Sequence, residues 1–462
     1  MDTVTQVVRA LEQLGVDADA LAYATGFEQR PQQAKLSGAQ FVLTLVCGWL
    51  RDPQASRSAL AATAGQLGVA ISPQGLDQRL REPGARLLRA VLGTAARALV
   101  GTAPAAVPLL ERFAAVYVQD STVIALPDPL AAAWPGCGGR TEQGTQAAVK
   151  AQVRVELRRG QLHGPELQPG RAHDQTGALV EAVGEPGSLH LRDLGYFSLA
   201  RFAAWEAQEQ YWLSRLKMGV RVVTTATGAV VEAAWLQAQG PGLVDVAVRV
   251  GQRPALAARL IAGRVPPAVA QTRRRQLRAA ARREGQTPSR ARLALADWTL
   301  ALTNVPAERL SGAEVLVLLG VRWQIELVFK LWKQAGRFTQ WQSTKRAAIL
   351  CELYAKLLGL VVQHWLTLVG TGPPPTRSLA KAARVVALNV GVLLAAWRGR
   401  LPLTLAVVIV ADGIDAGCRV ARRRRYASTA QLLADPTLPL PFRPRPPKRR
   451  GRKPLTTRRK VA

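Results

Sequence analysis

The segment LLGVRWQIELVFKLWKQ (318–334) sets one acid among three cations at helical spacing. At 100° per residue, Arg322, Glu326, Lys330 and Lys333 fall within about an 80° sector of one helix face. Ile325, Val328, Phe329 and Trp332 occupy flanking positions, which makes the helix half-buried. A carboxylate ringed by bases suits chemistry at a phosphodiester, the acid holding metal and the bases holding phosphate. The same residues also fit plain i,i+4 ion pairing of Glu326 with Arg322 and Lys330. Two further acids bear on the choice. FAAVYVQD (113–120) and SLHLRD (188–193) each read as a strand ending on an aspartate, Asp120 and Asp193. Singly, such an aspartate is often only a turn residue. If the two strands lie side by side, Asp120 and Asp193 meet at one edge, next to the helix that carries Glu326. Three hard oxygen donors there can hold two Mg²⁺ or Mn²⁺ ions about 4 Å apart, for attack of water or a 3′-hydroxyl on phosphorus.

The elements between these residues must then form a sheet with helices. AAVKAQVRVELRRGQLHGPELQPG (147–170) alternates about a turn at Arg159-Gly160 and predicts a hairpin. DQTGALVEAV (174–183) reads as a short helix, LARFAAWEAQ (199–208) as another, and YWLSRLKMGV (211–220) as a strand. Strand, hairpin pair, helix, strand, helix, strand is the order of an RNase H-like core, an α/β fold on a mixed five-stranded sheet. The helix that completes it, about 311–335, comes only after a detour. Residues 221–299 read as an inserted domain, strand-rich at first and then basic. There TRRRQLRAAARRE holds six arginines before its glutamate, facing a phosphate backbone or simply solvent.

Outside the core, residues 1–108 predict a helical domain. Gly68 and Ser72-Pro73 punctuate a helix, a turn and a second helix carrying Arg79 and Arg81, which fits a DNA-binding helix-turn-helix or an ordinary bundle. The core is expected over 109–220 and 300–380, with a C-terminal helical region at 381–426. The apolar stretches 385–397 and 401–411 are each too short to span a bilayer. A basic tail at 427–462 is expected to be disordered, since 443–460 has no acid and no apolar periodicity.

Composition agrees with a polyanionic partner. Among 462 residues, 62 are Lys or Arg against 31 acids, a net charge of +31. Such an excess points to nucleic acid, or else to compositional bias of the genome. The 48% hydrophobic content argues for a folded chain. Cys47, Cys137, Cys351 and Cys418 form no CxxC pair, which excludes a zinc ribbon and fits a reducing cytoplasm. His163, His173, His190 and His364 show no ligand spacing and are assigned to structure or surface. No signal peptide and no nucleotide-binding loop is evident.

RWQIELVFKLWK resembles the Tyr-x2-Arg-x3-Glu-x6-Lys signature of bacterial DDE transposases of the insertion-sequence-four family. Arg322, Glu326 and Lys333 match it, while Leu319 stands at the tyrosine position. QDSTVIALP (119–127) and RDLGYFSLARF (192–202) resemble the family's first and second aspartate motifs, centred on Asp120 and Asp193. LSRLK (213–217) and DWTLALTNVP (297–306) also have family counterparts. The resemblance implies Mg²⁺-dependent cleavage at transposon ends and attack of the freed 3′-hydroxyls on target DNA, by a homodimer holding terminal inverted repeats. It implies phosphate contacts by Arg322 and Lys333, with Lys330 assisting. It places Trp298 where some members hold a flipped base, although a core tryptophan on a strand fits equally. An RNase H-like nuclease without strand transfer and a DNA-binding remnant are the alternatives.

Overall fold

The computed structural model describes residues 2–28, 35–138, 146–252, 255–371, 377–419 and 427–438. The N-terminal region is helical, as its pattern predicts: α1 (Thr3–Ala24), α2 (Gly38–Arg51), α3 (Arg57–Gln66), α4 (Pro73–Asp77), α5 (Glu82–Ala95) and α6 (Pro108–Glu111). Side-chain caps set the starts. Asp2 accepts from the Thr5 N–H, Ser37 and Gln40 form a reciprocal capping box, and Ser72 precedes Pro73 at the head of α4. Gly68, at φ +87°, ends the turn after α3. The expected second helix of a helix-turn-helix is shorter than its pattern suggests. It stops at Asp77, so Arg79 and Arg81 lie outside it.

Nine strands form one mixed sheet: β1 (Val116–Leu126), β2 (Ala147–Glu156), β3 (Leu162–Pro169), β4 (Leu189–Arg192), β5 (Tyr211–Arg215), β6 (Val222–Thr224), β7 (Val244–Val250), β8 (Leu256–Arg264) and β9 (Trp298–Thr303). Their spatial order is β3-β2-β1-β4-β5-β9-β8-β7-β6. The pairs β1–β4 and β4–β5 are parallel, and the others are antiparallel. Gly160, at φ +69°, makes the expected turn between β2 and β3. The sheet is wider than the five strands expected. β9 pairs with β5 through Leu213↔Thr303 and with β8 through Leu260↔Leu302, so the strands of 221–299 extend the same sheet. The pairing occupies backbone groups that β5 would otherwise present as an open edge.

The connecting helices are α7 (Ala178–Glu181), α8 (Leu199–Glu206), α9 (Ala233–Ala238), α10 (Pro267–Arg283) and α11 (Arg290–Ala294). The helix expected over 174–183 shrinks to α7, because Thr176 turns back onto His173 and Gly177 sits at φ +115°. The strand expected to reach residue 220 ends at Arg215, ahead of a turn at Gly219.

The chain continues through α12 (Gly312–Val321), α13 (Trp323–Gly336), α14 (Arg346–Thr371), α15 (Leu379–Leu388), α16 (Val390–Trp397), α17 (Leu403–Gly417) and α18 (Thr429–Ala434). The single helix expected at 311–335 is two helices meeting at Arg322, whose φ −47° and ψ −29° remain helical. Gly320, a weak helix former, lies two residues upstream of the break. Helix α14 packs against α2, α5 and α17 in the main core. Among the described residues it is the one helix long and apolar enough by itself to cross a membrane, and 89% of its apolar window is buried inside the protein. The basic stretch 443–460 lies outside the described residues.

Candidate active site

Strand pairing brings the two aspartates together. On the parallel strands β1 and β4, Val116 faces Leu189, Val118 faces Leu191 and Gln119 faces Arg192. Asp120 and Asp193 are each the next residue, one step beyond the last pair. The strand ends differ from expectation: β1 runs on to Leu126, so Asp120 lies within it where β4 stops, and only Asp193 follows a strand end. By alternation, Val116, Val118 and Asp120 share one face, with Leu189, Leu191 and Asp193 continuing it. Helix α13 packs on β1 and supplies Glu326.

Arg322 binds this set together. Its Nη1 lies 3.6 Å from Asp193 Oδ2 and its Nη2 lies 3.3 Å from Glu326 Oε1. The side chain is only 12% exposed, and Nη1 is buried with no hydrogen bond. One half of the i,i+4 ion pairing read from the sequence is therefore present, but its guanidinium also reaches across to a strand. Asp120 Oδ1 accepts the Ser121 N–H at 2.8 Å. Burial pushes the Asp120 carboxyl up to about 6, opposed by the Ser121 N–H and Arg322 and reinforced by Asp193 and Glu326. Asp120 thus feels the charge of both other acids. Among the described residues no group of three His, Cys, Asp or Glu side chains is placed to hold a metal ion; Arg322 stands between Asp193 and Glu326.

By donor chemistry, these carboxylates would suit a hard divalent cation. A guanidinium already neutralises two of them where positive charge is needed. A ligating carboxyl must be ionised, and Asp120 is protonated below its raised pKa, so protons compete with metal. Mn²⁺ uptake by the metal-free protein should therefore weaken as pH falls below about 6, by up to tenfold per unit. An electron-spin titration of free Mn²⁺ checks this, and an affinity flat down to about pH 5 would remove Asp120 from the ligand set.

Lys330 and Lys333 are exposed on the same helix, and among the described residues neither pairs with an acid. Trp298 stands apart from this group. It is 4% exposed and packs with Leu236, Val244 and Ala262, with Arg264 over its ring at 5.8 Å. Leu319 is half-buried against the main core.

Several side chains near the site lie in segments quoted above but were given no individual role there. Arg215 ends β5 close enough to couple electrically with Asp193 and Arg322. Burial lowers its pKa first, with Asp193 opposing. Arg273 of α10 feels Arg215 and donates to Trp298 O at 2.8 Å and Thr299 Oγ1 at 3.1 Å. Trp323, 46% exposed, adjoins Arg322. Their segments were singled out in the sequence, but only the spatial order of β5 and β9 distinguishes Arg215 and Arg273 within them. Two of the histidines serve packing. His190 stacks on Trp205 at 4.1 Å and His364 bonds Gly160 O, both away from the carboxylates.

The register of β1 and β4 thus sets two aspartates side by side, and the helix packed on β1 carries a glutamate among cations. The family model for the transposase DDE domain matches residues 111–362, more than half of the chain, and the chain belongs to that family. It is similar to the transposase for insertion sequence element IS231E of Bacillus thuringiensis subsp. finitimus, 27% identical over 353 residues covering 71% of this chain and 73% of that protein. Similarity to the IS231B transposase of Bacillus thuringiensis subsp. berliner is 26% over 368 residues, covering 74% and 75%. Similarity to the IS1151 transposase of Clostridium perfringens is 23% over 269 residues, covering 54% and 56%. The resemblance carried by Arg322, Glu326 and Lys333 is thus borne out, and the chain is an enzyme of DNA cleavage and strand transfer.

Proposed function

We propose that this transposase carries out its chemistry at Asp120, Asp193 and Glu326, on a core of RNase H-like topology. The strand order β3-β2-β1-β4-β5, with β2 alone reversed, supports that topology, as does the packing of α13 on β1. The observation that carries the reading is the register of β1 and β4, which sets Asp120 beside Asp193 with Arg322 linking the pair to Glu326. The three carboxylates would hold Mg²⁺ or Mn²⁺, two ions in the full set. When bound, metal supplies Lewis acidity for the attacking and leaving oxygens of the phosphodiester. Arg322, which reaches both Asp193 and Glu326, would hold a phosphate of the strand being cut. Lys330 and Lys333 hold neighbouring phosphates.

The substrates we assign are the terminal inverted repeats of an insertion sequence and a double-stranded target, cut and pasted by a homodimer in the cytoplasm at the nucleoid. The net charge of +31 and the named activities of the relatives support this. We read 1–108 as the N-terminal helical unit, 109–220 with 300–380 as the core, 221–299 as an insertion continuous with the core sheet, 381–426 as the C-terminal helices and 427–462 as the basic tail. Trp298 we read as a core residue, since its burial leaves no ring face for a base. Replacing Glu326 by Ala tests the assignment. Cleavage of the element's ends should fail while the ends are still bound, and unchanged Mn²⁺-dependent cleavage would refute it.

A further inference from the structure

The reverse face of the sheet, behind the aspartates, is polar. Gln119, Ser121, Gln152 and Arg192 share it by register, and three of these are at most 2% exposed. Arg192 donates to Gln119 Oε1, Gln119 donates to Gln152 Oε1 at 3.2 Å, and Gln152 donates to Gln168 Oε1 at 3.0 Å and Thr176 O at 2.8 Å. This bar ties β4, β1, β2 and β3 together one residue before each aspartate. The hydrogen bonds along the bar hold its members in one geometry, although among the described residues Arg192 Nη2 has no hydrogen-bond partner and the guanidinium lies 4.8 Å from the Trp205 ring.

The bar ends at the loop that carries Asp174. The Asp174 carboxylate accepts from Lys150 Nζ at 2.6 Å and from the Ser121 hydroxyl at 3.0 Å, both through Oδ1. Lys150, 9% exposed, also donates to Ala172 O. Asp174 Oδ2 lies against Gly195, where an added Cβ would stand 3.1 Å away. Gln175 Nε2 donates to Gly195 O at 3.3 Å and Phe197 O at 3.0 Å. One carboxylate thus touches the residue after Asp120 and the turn that follows Asp193.

We propose that Asp174 is a positioning residue of this active site: from the reverse face it fixes Ser121 and the Gly195 turn, and through them the carboxylates of Asp120 and Asp193. Lys150, at 2.6 Å from Oδ1, aims the Asp174 carboxylate. Ser121 transmits its hold, because its own N–H donates to Asp120 Oδ1. The inference rests on Asp120 and Asp193 as metal ligands.

The test uses the full chain without DNA, titrated with Mn²⁺ alone, and compares D174N, S121A, their double variant and D120N. D174N and S121A should each raise the Mn²⁺ concentration for half-saturation by about 10- to 100-fold, the usual effect of removing a group that orients a ligand. Because both disturb the Asp174–Ser121 link, they should not multiply, so the double variant should match the more severe single one. Wild-type Mn²⁺ binding by S121A, or multiplied effects in the double variant, would overturn the proposal even if D174N fails to fold. If D120N loses Mn²⁺ binding while S121A keeps it, the inference about Asp174 falls alone. If neither variant changes binding, the metal reading of Asp120 falls with it.

Discussion

Glu326→Ala is expected to slow single-turnover cleavage of the element's ends by about three orders of magnitude, which corresponds to roughly 4 kcal/mol of lost transition-state stabilisation. The loss should be chemical, not structural. Glu326 is 29% exposed and pairs with Arg322 at 3.3 Å, and an ion pair of that kind contributes at most about 1 kcal/mol to folding. Binding of the ends should hold or tighten, because removing one negative charge beside Lys330 and Lys333 makes the face more attractive to phosphate. Thermal unfolding and a binding titration without divalent metal separate these terms. A variant that cleaves at the wild-type rate would exclude Glu326 from the chemistry.

Lys356→Met is expected to have the largest effect on stability. In α14, Lys356 Nζ lies 2.6 Å from Glu352 Oε1, with the two side chains 1% and 0% exposed. Glu352 Oε2 also accepts the Gln342 N–H at 2.9 Å, and Lys356 stands 5.6 Å from the Trp341 ring. The pair therefore anchors the segment that follows α13. Removing the lysine leaves a carboxylate buried without its counter-ion, a loss of about 3–5 kcal/mol. Replacing both residues with apolar side chains of similar volume should be close to neutral or stabilising by the same reasoning. Denaturant unfolding of the single and double variants measures both effects. A single-variant cost below about 1 kcal/mol would show that Glu352 finds another partner or becomes neutral.

Much of this site was legible in the sequence, for physical reasons. Glu326 and its cations sit on one helix, where spacing alone dictates a shared face. Asp120 and Asp193 close apolar runs that read as strands, and an order of strand, hairpin and helix constrains which strands become neighbours. Other features depend on contacts remote in sequence. The sheet grew to nine strands because β9 pairs on both sides, which no period within residues 221–299 announces. Asp174 was hidden inside a stretch read as helix, and only β2 and the turn after Asp193 give it a role. The break at Arg322 was masked by an unbroken helical pattern. Trp298 drew attention through its position along the chain, and its packing with Leu236 and Ala262 could not be read from that position.

The most direct test of a metal-holding carboxylate site exchanges a ligand for one of different softness. Asp193→Cys puts a thiolate where Asp193 now faces Arg322 at 3.6 Å. Thiolate binds Mg²⁺ poorly and accepts softer divalent ions better. Single-turnover cleavage of the element's ends by this variant should be lost in Mg²⁺ and recovered in large part in Mn²⁺, with wild type active in both. Full activity in Mg²⁺, or an equal loss in both metals by a variant that melts like wild type, would contradict the assignment of Asp193 to the metal.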